Sequence, residues 1–229
     1  MVQYNPLLNL LSDDIELIQS DETPVDNELQ NLVPNLLLAI LALIWPTRQD
    51  WFFGVDMGIF YQKNQPPIVP DGFLSLGVER FIQPNGRLSY KLWRENGVMP
   101  ILALEVVSEN YRDEYEQKKR DYAELGILYY VIYDSGRYHP RKGDAFEVHR
   151  LVNGVYQRLP GEPVWMPEIS LGIGRAVGTY EGWTREWLYW YDEQGNRFLT
   201  SDELLERERQ QREELLAKLR EKGIDIDRI

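Results

Sequence analysis

Residues 101–133 read ILALEVVSENYRDEYEQKKRDYAELGILYYVIY, and the fold turns on them. Ile101 to Val107 is a nearly continuous apolar run of strand length, which predicts a central strand buried on both faces. Ile127 to Tyr133 is a second run of the same kind. Between them a polar, helix-prone stretch extends from about Arg112 to Leu125 and closes on Gly126, the residue type that ends helices. Strand, helix and strand in so short a span make a βαβ-like unit, with a mixed sheet equally allowed.

Upstream, Val25 to Trp45 has a helical pattern, with Pro34 as a kink or break. Its apolar part, LLLAILALIW at 36–45, has ten residues. A membrane span needs about twenty, so this is read as a buried helix. Trp51 to Tyr61 is aromatic and β-rich and reads as a strand or hairpin pair, punctuated by Gly54 and Gly58. Gln62 to Pro67 is a polar loop, Ile68 to Val78 is extended, and Phe81 to Gly97 holds the turn residues Pro84, Asn85 and Gly86. Downstream, FEVHRL (146–151) and VYQRL (155–159) flank Asn153-Gly154 and predict a hairpin, with His149 an ordinary side chain in it. Residues 161–200 predict short strands and turns wrapping the core. Their Trp and Tyr cluster, Trp183 to Tyr191, reads as core or interface packing, with base stacking as the alternative. Gly172-x-Gly174-x-x-x-Gly178 has the wrong third spacing for a dinucleotide loop. Asp202 to Lys222 is helix-prone and charged, with leucines in a weak heptad. The expected division is an N-terminal segment 1–24, one domain 25–200 and a charged helical tail 201–229. The fold class is α/β (α+β), a mixed central β-sheet flanked by helices with a charged C-terminal helix.

The 229 residues carry a net charge of −12 and are 43% apolar, enough for a packed core. The absence of cysteine excludes disulfides, thiolate zinc sites and cysteine nucleophiles, and two histidines leave no poly-histidine metal site. With no visible targeting signal, the cytoplasm is the expected compartment and no membrane the expected partner. The acidity argues against holding nucleic acid by charge alone, though not against a metal-neutralised site in an acidic body.

Three residues stand out against this background. Asp71 follows Pro70 in an extended, apolar-flanked segment, where aspartate is disfavoured unless it serves a turn with Gly72. Glu105 interrupts the central strand, where a carboxylate costs several kcal/mol unless paired or metal-bound. Lys118 falls on the apolar stripe Tyr111, Tyr115, Lys118, Tyr122, Leu125 of the following helix, while Lys119 and Arg120 rotate away from it. Lys118 either snorkels outward or aims its ammonium at Glu105. Two carboxylates and a cation are the equipment of metal-assisted phosphodiester hydrolysis.

The ordered set Val69-Pro70-Asp71, then Ala103-Leu104-Glu105-Val106-Val107-Ser108, then Lys118 to Val131 resembles the Uma2 family (DUF820) of the PD-(D/E)xK nuclease superfamily. The resemblance spans roughly residues 25 to 200 and implies a restriction-endonuclease-like core. A D/E-x-K motif starting at Glu105 would put lysine at position 107, where this chain has valine. The resemblance instead implies that the lysine comes from the following helix, as Lys118. It also suggests Glu28 as an auxiliary acid, against the plainer reading of a solvated helical charge.

The leading expectation is a Mg²⁺- or Mn²⁺-dependent endonuclease acting on nucleic acid, foremost DNA. Asp71, Glu105 and the carbonyl of Val106 would hold the metal, and Lys118 would act at the attacking water. The catalytic set is then Asp71, Glu105 and Lys118. A homodimer is compatible with this, since a two-fold pair is the commonest assembly. The alternatives are a catalytically inactive nuclease-fold binding protein and a hydrolase of another phosphate ester.

Overall fold

The structure, a computed structural model, describes residues 27–82, 86–109 and 113–222. The N-terminal segment 1–24, the turn residues Pro84 and Asn85, and Tyr111 of the helical stripe lie outside the described residues.

Helix α1 (Glu28–Ile44) starts at a capping box in which Asn27 and Gln30 satisfy each other's backbone donors. Pro34 lies within the helix rather than ending it, buried and packed against Gly72. The sheet elements are β1 (Trp51–Val55), β2 (Ile59–Phe60), β3 (Gly72–Leu76), β4 (Tyr90–Lys91), β5 (Leu102–Val106), β6 (Tyr129–Tyr133), β7 (Phe146–Val152) and β8 (Val155–Arg158). Six of them form the central mixed sheet, in the order β1-β3-β5-β6-β7-β8. The parallel pair of this sheet is β5 with β6, joined through α2 (Gln117–Glu124), and β5 is buried along its whole length. This is the βαβ unit that the two apolar runs predict, set in a mixed sheet.

Side chains alternate across β5. Leu102, Leu104 and Val106 face α1 and a second sheet of β9 (Val164–Met166), β10 (Leu171–Tyr180) and β11 (Trp183–Tyr191). Ala103 and Val107 face the other way, into a cluster with Tyr115, Tyr122 and Tyr130 under α2. Glu105 belongs by alternation to this second face. The Trp190 indole N–H donates to the Leu37 carbonyl at 2.9 Å, tying β11 to α1.

Several elements differ from the sequence expectation. Trp51 to Tyr61 is two strands that do not pair with each other: β1 is antiparallel to β3, and β2 is parallel to β4. The reason is the bend at Asp56, whose positive φ turns the chain out of the central sheet. The helix before Gly126 starts at Gln117, later than expected, because Asp113 has φ +60° and the Glu114 carbonyl accepts the Tyr130 hydroxyl at 2.7 Å. Residues 161–200 contain a long hairpin, paired from Gly172↔Tyr191 to Tyr180↔Trp183, so Gly172, Gly174 and Gly178 are strand residues. Trp187, Tyr189 and Trp190 are fully buried, as core packing requires. The Asn153-Gly154 hairpin forms as predicted, with positive φ at both turn residues. The tail helix α3 (Ser201–Glu221) buries no residue. No helix among the described residues is long and apolar enough to cross a membrane.

Gly54 is matched with Phe73 across β1 and β3, and a Cβ there would stand 2.2 Å from the fully buried Phe73 ring. Gly54→Ala is therefore expected to cost about 1–3 kcal/mol by overpacking. Thermal denaturation should show a melting temperature lower by roughly 3–10 °C.

Candidate active site

The antiparallel register that pairs Gly72 with Leu104 brings Asp71 level with Glu105 at the end of the two strands. Asp71 is 5% and Glu105 1% exposed, so both carboxylates are desolvated. The Val106 backbone N–H donates to Asp71 Oδ2 at 2.6 Å. The other Asp71 oxygen has only a long contact, 3.4 Å, from Gln30 Nε2 on α1. The Tyr122 hydroxyl donates to Glu105 Oε1 at 2.5 Å, and Lys118 Nζ donates to Oε2 at 2.7 Å.

Lys118 stands in the first turn of α2, with its side chain 25% exposed. It thus reaches inward to Glu105 while keeping one side toward solvent. Tyr115 and Tyr122, its neighbours on the stripe, are buried. Lys119 turns away from Lys118, as helical spacing requires, and lies 3.4 Å from His149 Nε2. His149 is more than a plain hairpin side chain: it is buried and bonded to Glu147 at 2.7 Å.

The electrostatics follow from burial. Desolvation raises the Asp71 pKa well above the usual carboxylate range, and the Glu105 charge adds to it. Desolvation also raises Glu105, against the opposing pull of Lys118 and Tyr122. For Lys118, burial alone would lower the pKa, but Glu105, Asp71 and Glu114 together outweigh it and the net shift is upward. Among the described residues one ammonium, that of Lys118, therefore serves the buried pair Asp71 and Glu105, and the pair has a deficit of positive charge.

That deficit is the fit test for a divalent cation. The donors are oxygens, which suit hard ions such as Mg²⁺ or Mn²⁺. Among the described residues no group of three or more His, Asp or Glu side chains could hold a metal. The protein's share would be the pair Asp71 and Glu105, with a backbone carbonyl such as that of Val106. Magnesium sites commonly use one or two carboxylates, waters and substrate phosphates, so the pair fits.

Against this geometry, the family model of Uma2, described as "Putative restriction endonuclease", matches residues 12–178. The chain belongs to the Uma2 family. The family description places it among nuclease-like proteins. A solved structure from Anabaena variabilis ATCC 29413, titled as that of a putative nuclease belonging to DUF820, is 12% identical in sequence. That match covers 63% of this chain and 74% of the other, with a TM-score of 0.40. No curated protein matches the chain.

The structure brings Asp71, Glu105, Val106 and Lys118 together. Glu28 is exposed in the first turn of α1, and Gln30, two residues on, is the α1 side chain that reaches Asp71. Sequence reasoning missed Gln30, Glu114 and the hydroxyl of Tyr122. The Asn27-x-x-Gln30 capping box is the signal that fixes Gln30: its Oε1 accepts the Asn27 N–H at 2.9 Å, leaving its Nε2 for Asp71. Tyr122 was legible only as an apolar stripe position.

Tyr122→Phe removes a donor from a buried carboxylate and should cost about 1–3 kcal/mol. Urea denaturation is expected to show a lower midpoint with an unchanged slope.

Proposed function

We propose that this Uma2-family chain is a Mg²⁺- or Mn²⁺-dependent nuclease that hydrolyses phosphodiester bonds, foremost in DNA. One observation carries the proposal: Glu105, 1% exposed in the central strand, is held at 2.7 Å by Lys118 beside a second buried carboxylate, Asp71. Asp71 and Glu105, with the Val106 carbonyl, would hold the ion. When bound, the ion neutralises phosphate charge and lowers the pKa of a water.

The remaining work falls to side chains. Tyr122 and Lys118 fix the Glu105 carboxylate, and the Val106 N–H fixes that of Asp71. Each bonded oxygen keeps a further lone pair, so the hydrogen bonds orient the acceptors without saturating them. Lys118 has donors to spare beyond its bond to Glu105. Its partly exposed ammonium can orient the attacking water and stabilise charge building on the phosphate oxygens. The proposal places the protein in the cytoplasm, and cutting both strands of a duplex would call for a homodimer.

A second reading is a nuclease-fold binding protein without catalysis. The Lys118–Glu105 contact favours it, since a closed ion pair at 2.7 Å already satisfies much of the buried charge.

Purified protein is expected to nick supercoiled plasmid with Mg²⁺ or Mn²⁺ and to stop in EDTA. Asp71→Asn, Glu105→Gln and Lys118→Gln should each lower the rate by at least about 100-fold, with circular dichroism unchanged. Full activity in Lys118→Gln would remove the lysine from the mechanism. Calorimetry with Mn²⁺ should give a binding isotherm that disappears in Asp71→Asn. Binding without cleavage in the wild type would select the second reading for the ion-holding fold.

A further inference from the structure

The chain has 37 acidic and 25 basic residues, yet the stretch 57–98 reverses that balance. It contains five bases, Lys63, Arg80, Arg87, Lys91 and Arg94, and three acids, Asp71, Glu79 and Glu95. Asp71 belongs to the site described above. Glu95 is neutralised by Arg87 at 2.9 Å, with both side chains almost fully buried. Lys63, Lys91 and Arg94 make no ion pair among the described residues, whereas Arg80 is stacked between Trp51 and Phe81.

These three cations sit on one structural unit. β2 and β4 pair side by side, matching Phe60 with Lys91, and Lys63 follows β2 by three residues. A 3₁₀ turn, Leu92–Arg94, continues directly from β4. Lys91 and Arg94 line one small cavity together with Arg87 and Ser89. Trp93, between them, is 44% exposed and has no ring or hydrogen-bond partner among the described residues. The Arg87–Glu95 pair makes the unit rigid: Arg87 also donates to the carbonyls of Glu79 and Arg80.

The unit packs on the same sheet face as the candidate active site. Its inner face, Ile59 and Tyr90, packs on Phe52 and Phe73. Phe73 is matched with Ala103, which faces α2, so the unit covers the sheet face that carries Glu105. Ile59 exchanges backbone hydrogen bonds with Ile68, at 2.7 and 3.2 Å, three residues before Asp71. The Asp56 N–H, at the exit of β1, donates to the Asp71 carbonyl at 3.2 Å.

We propose that this β2–β4 flap is the nucleic-acid grip of the protein, with Lys63, Lys91 and Arg94 on the phosphates and Trp93 stacking on an unpaired base. The proposal rests on the nuclease reading of the neighbouring site. Cations interleaved with an exposed aromatic ring suit a strand that offers both phosphates and flat bases. In a chain of net charge −12, a polyanion needs local cations of this kind to be held. Anionic lipid would use the same charges, and the selective loss of single-strand binding in Trp93→Ala separates it from a nucleic acid.

The test is fluorescence anisotropy of a labelled 20-nucleotide single strand, measured in EDTA at several salt concentrations. Wild-type protein is expected to bind with a salt-dependent affinity. The double variant Lys91→Ser/Arg94→Ser should bind at least about tenfold more weakly, with its log–log salt slope reduced by about 1.4. Trp93→Ala should weaken the single strand by about tenfold and a blunt duplex much less. Arg207→Ser/Arg212→Ser on the tail helix removes the same charge elsewhere and should bind like the wild type. Equal losses in both double variants, unaltered binding in Lys91→Ser/Arg94→Ser, or no binding by the wild type would overturn the flap. So would phosphatidylserine vesicles, if they bind by the same residues and Trp93→Ala leaves the single strand unaffected. Plasmid cleavage by the wild type, assayed alongside, separates the two failures. Cleavage with unaltered flap-variant binding sinks the flap alone. Flap-dependent binding with no metal-dependent cleavage sinks the nuclease reading alone.

Discussion

A carboxylate within a strand buried along its whole length is the constraint around which the molecule is arranged. Glu105 in an apolar environment would cost several kcal/mol if left unpartnered. The chain meets that cost with two donors from a single helix, the Lys118 ammonium and the Tyr122 hydroxyl, one turn apart. α2 must therefore cross this face of the sheet with the Lys118–Tyr122 edge inward. The neighbouring strand repeats the solution with a backbone donor, since the Val106 N–H holds Asp71. The two carboxylates are thus fixed by hydrogen bonds that leave them short of positive charge.

That shortage changes the meaning of the net charge of −12. Residues 202–229 carry nine acids and seven bases, so most of the excess lies in the body of the chain. Part of it is the buried pair Asp71 and Glu105, two carboxylates that share the Lys118 ammonium among the described residues. The stretch 57–98, which holds the flap, carries a surplus of bases, five against three acids. Under the proposed reading, acidity and affinity for nucleic acid are compatible because cations are gathered on the flap.

Much of this was legible in the residues. The runs 101–107 and 127–133 are apolar at every position but one, which marks β5 and β6, and the exception marks Glu105. Lys118 was legible because helical spacing puts it on a stripe of tyrosines. The Asn153-Gly154 turn announced its hairpin through chemistry that few other dipeptides share. What stayed hidden depends on contacts distant in sequence. Gln30 reads as a capping residue, and only the packing of α1 over β3 turns its amide toward Asp71. Residues 113–116 look helical by propensity, yet Glu114 gives its carbonyl to Tyr130 and the helix starts late. The β10–β11 hairpin was underestimated because its glycines read as loop punctuation, whereas in the sheet they leave room for the tyrosine side chains of the partner strand.

The central claim is that Asp71 and Glu105 form an ion-holding pair with Lys118 beside it. A crystal structure of the protein soaked with Mn²⁺, with anomalous differences measured at the manganese edge, addresses that claim directly. The account predicts an anomalous peak at about 2.1 Å from an oxygen of each carboxylate, with Lys118 still within hydrogen-bond reach of Glu105. An empty anomalous map at this place, with the Lys118–Glu105 pair unchanged, would contradict it and leave the pair a structural ion pair.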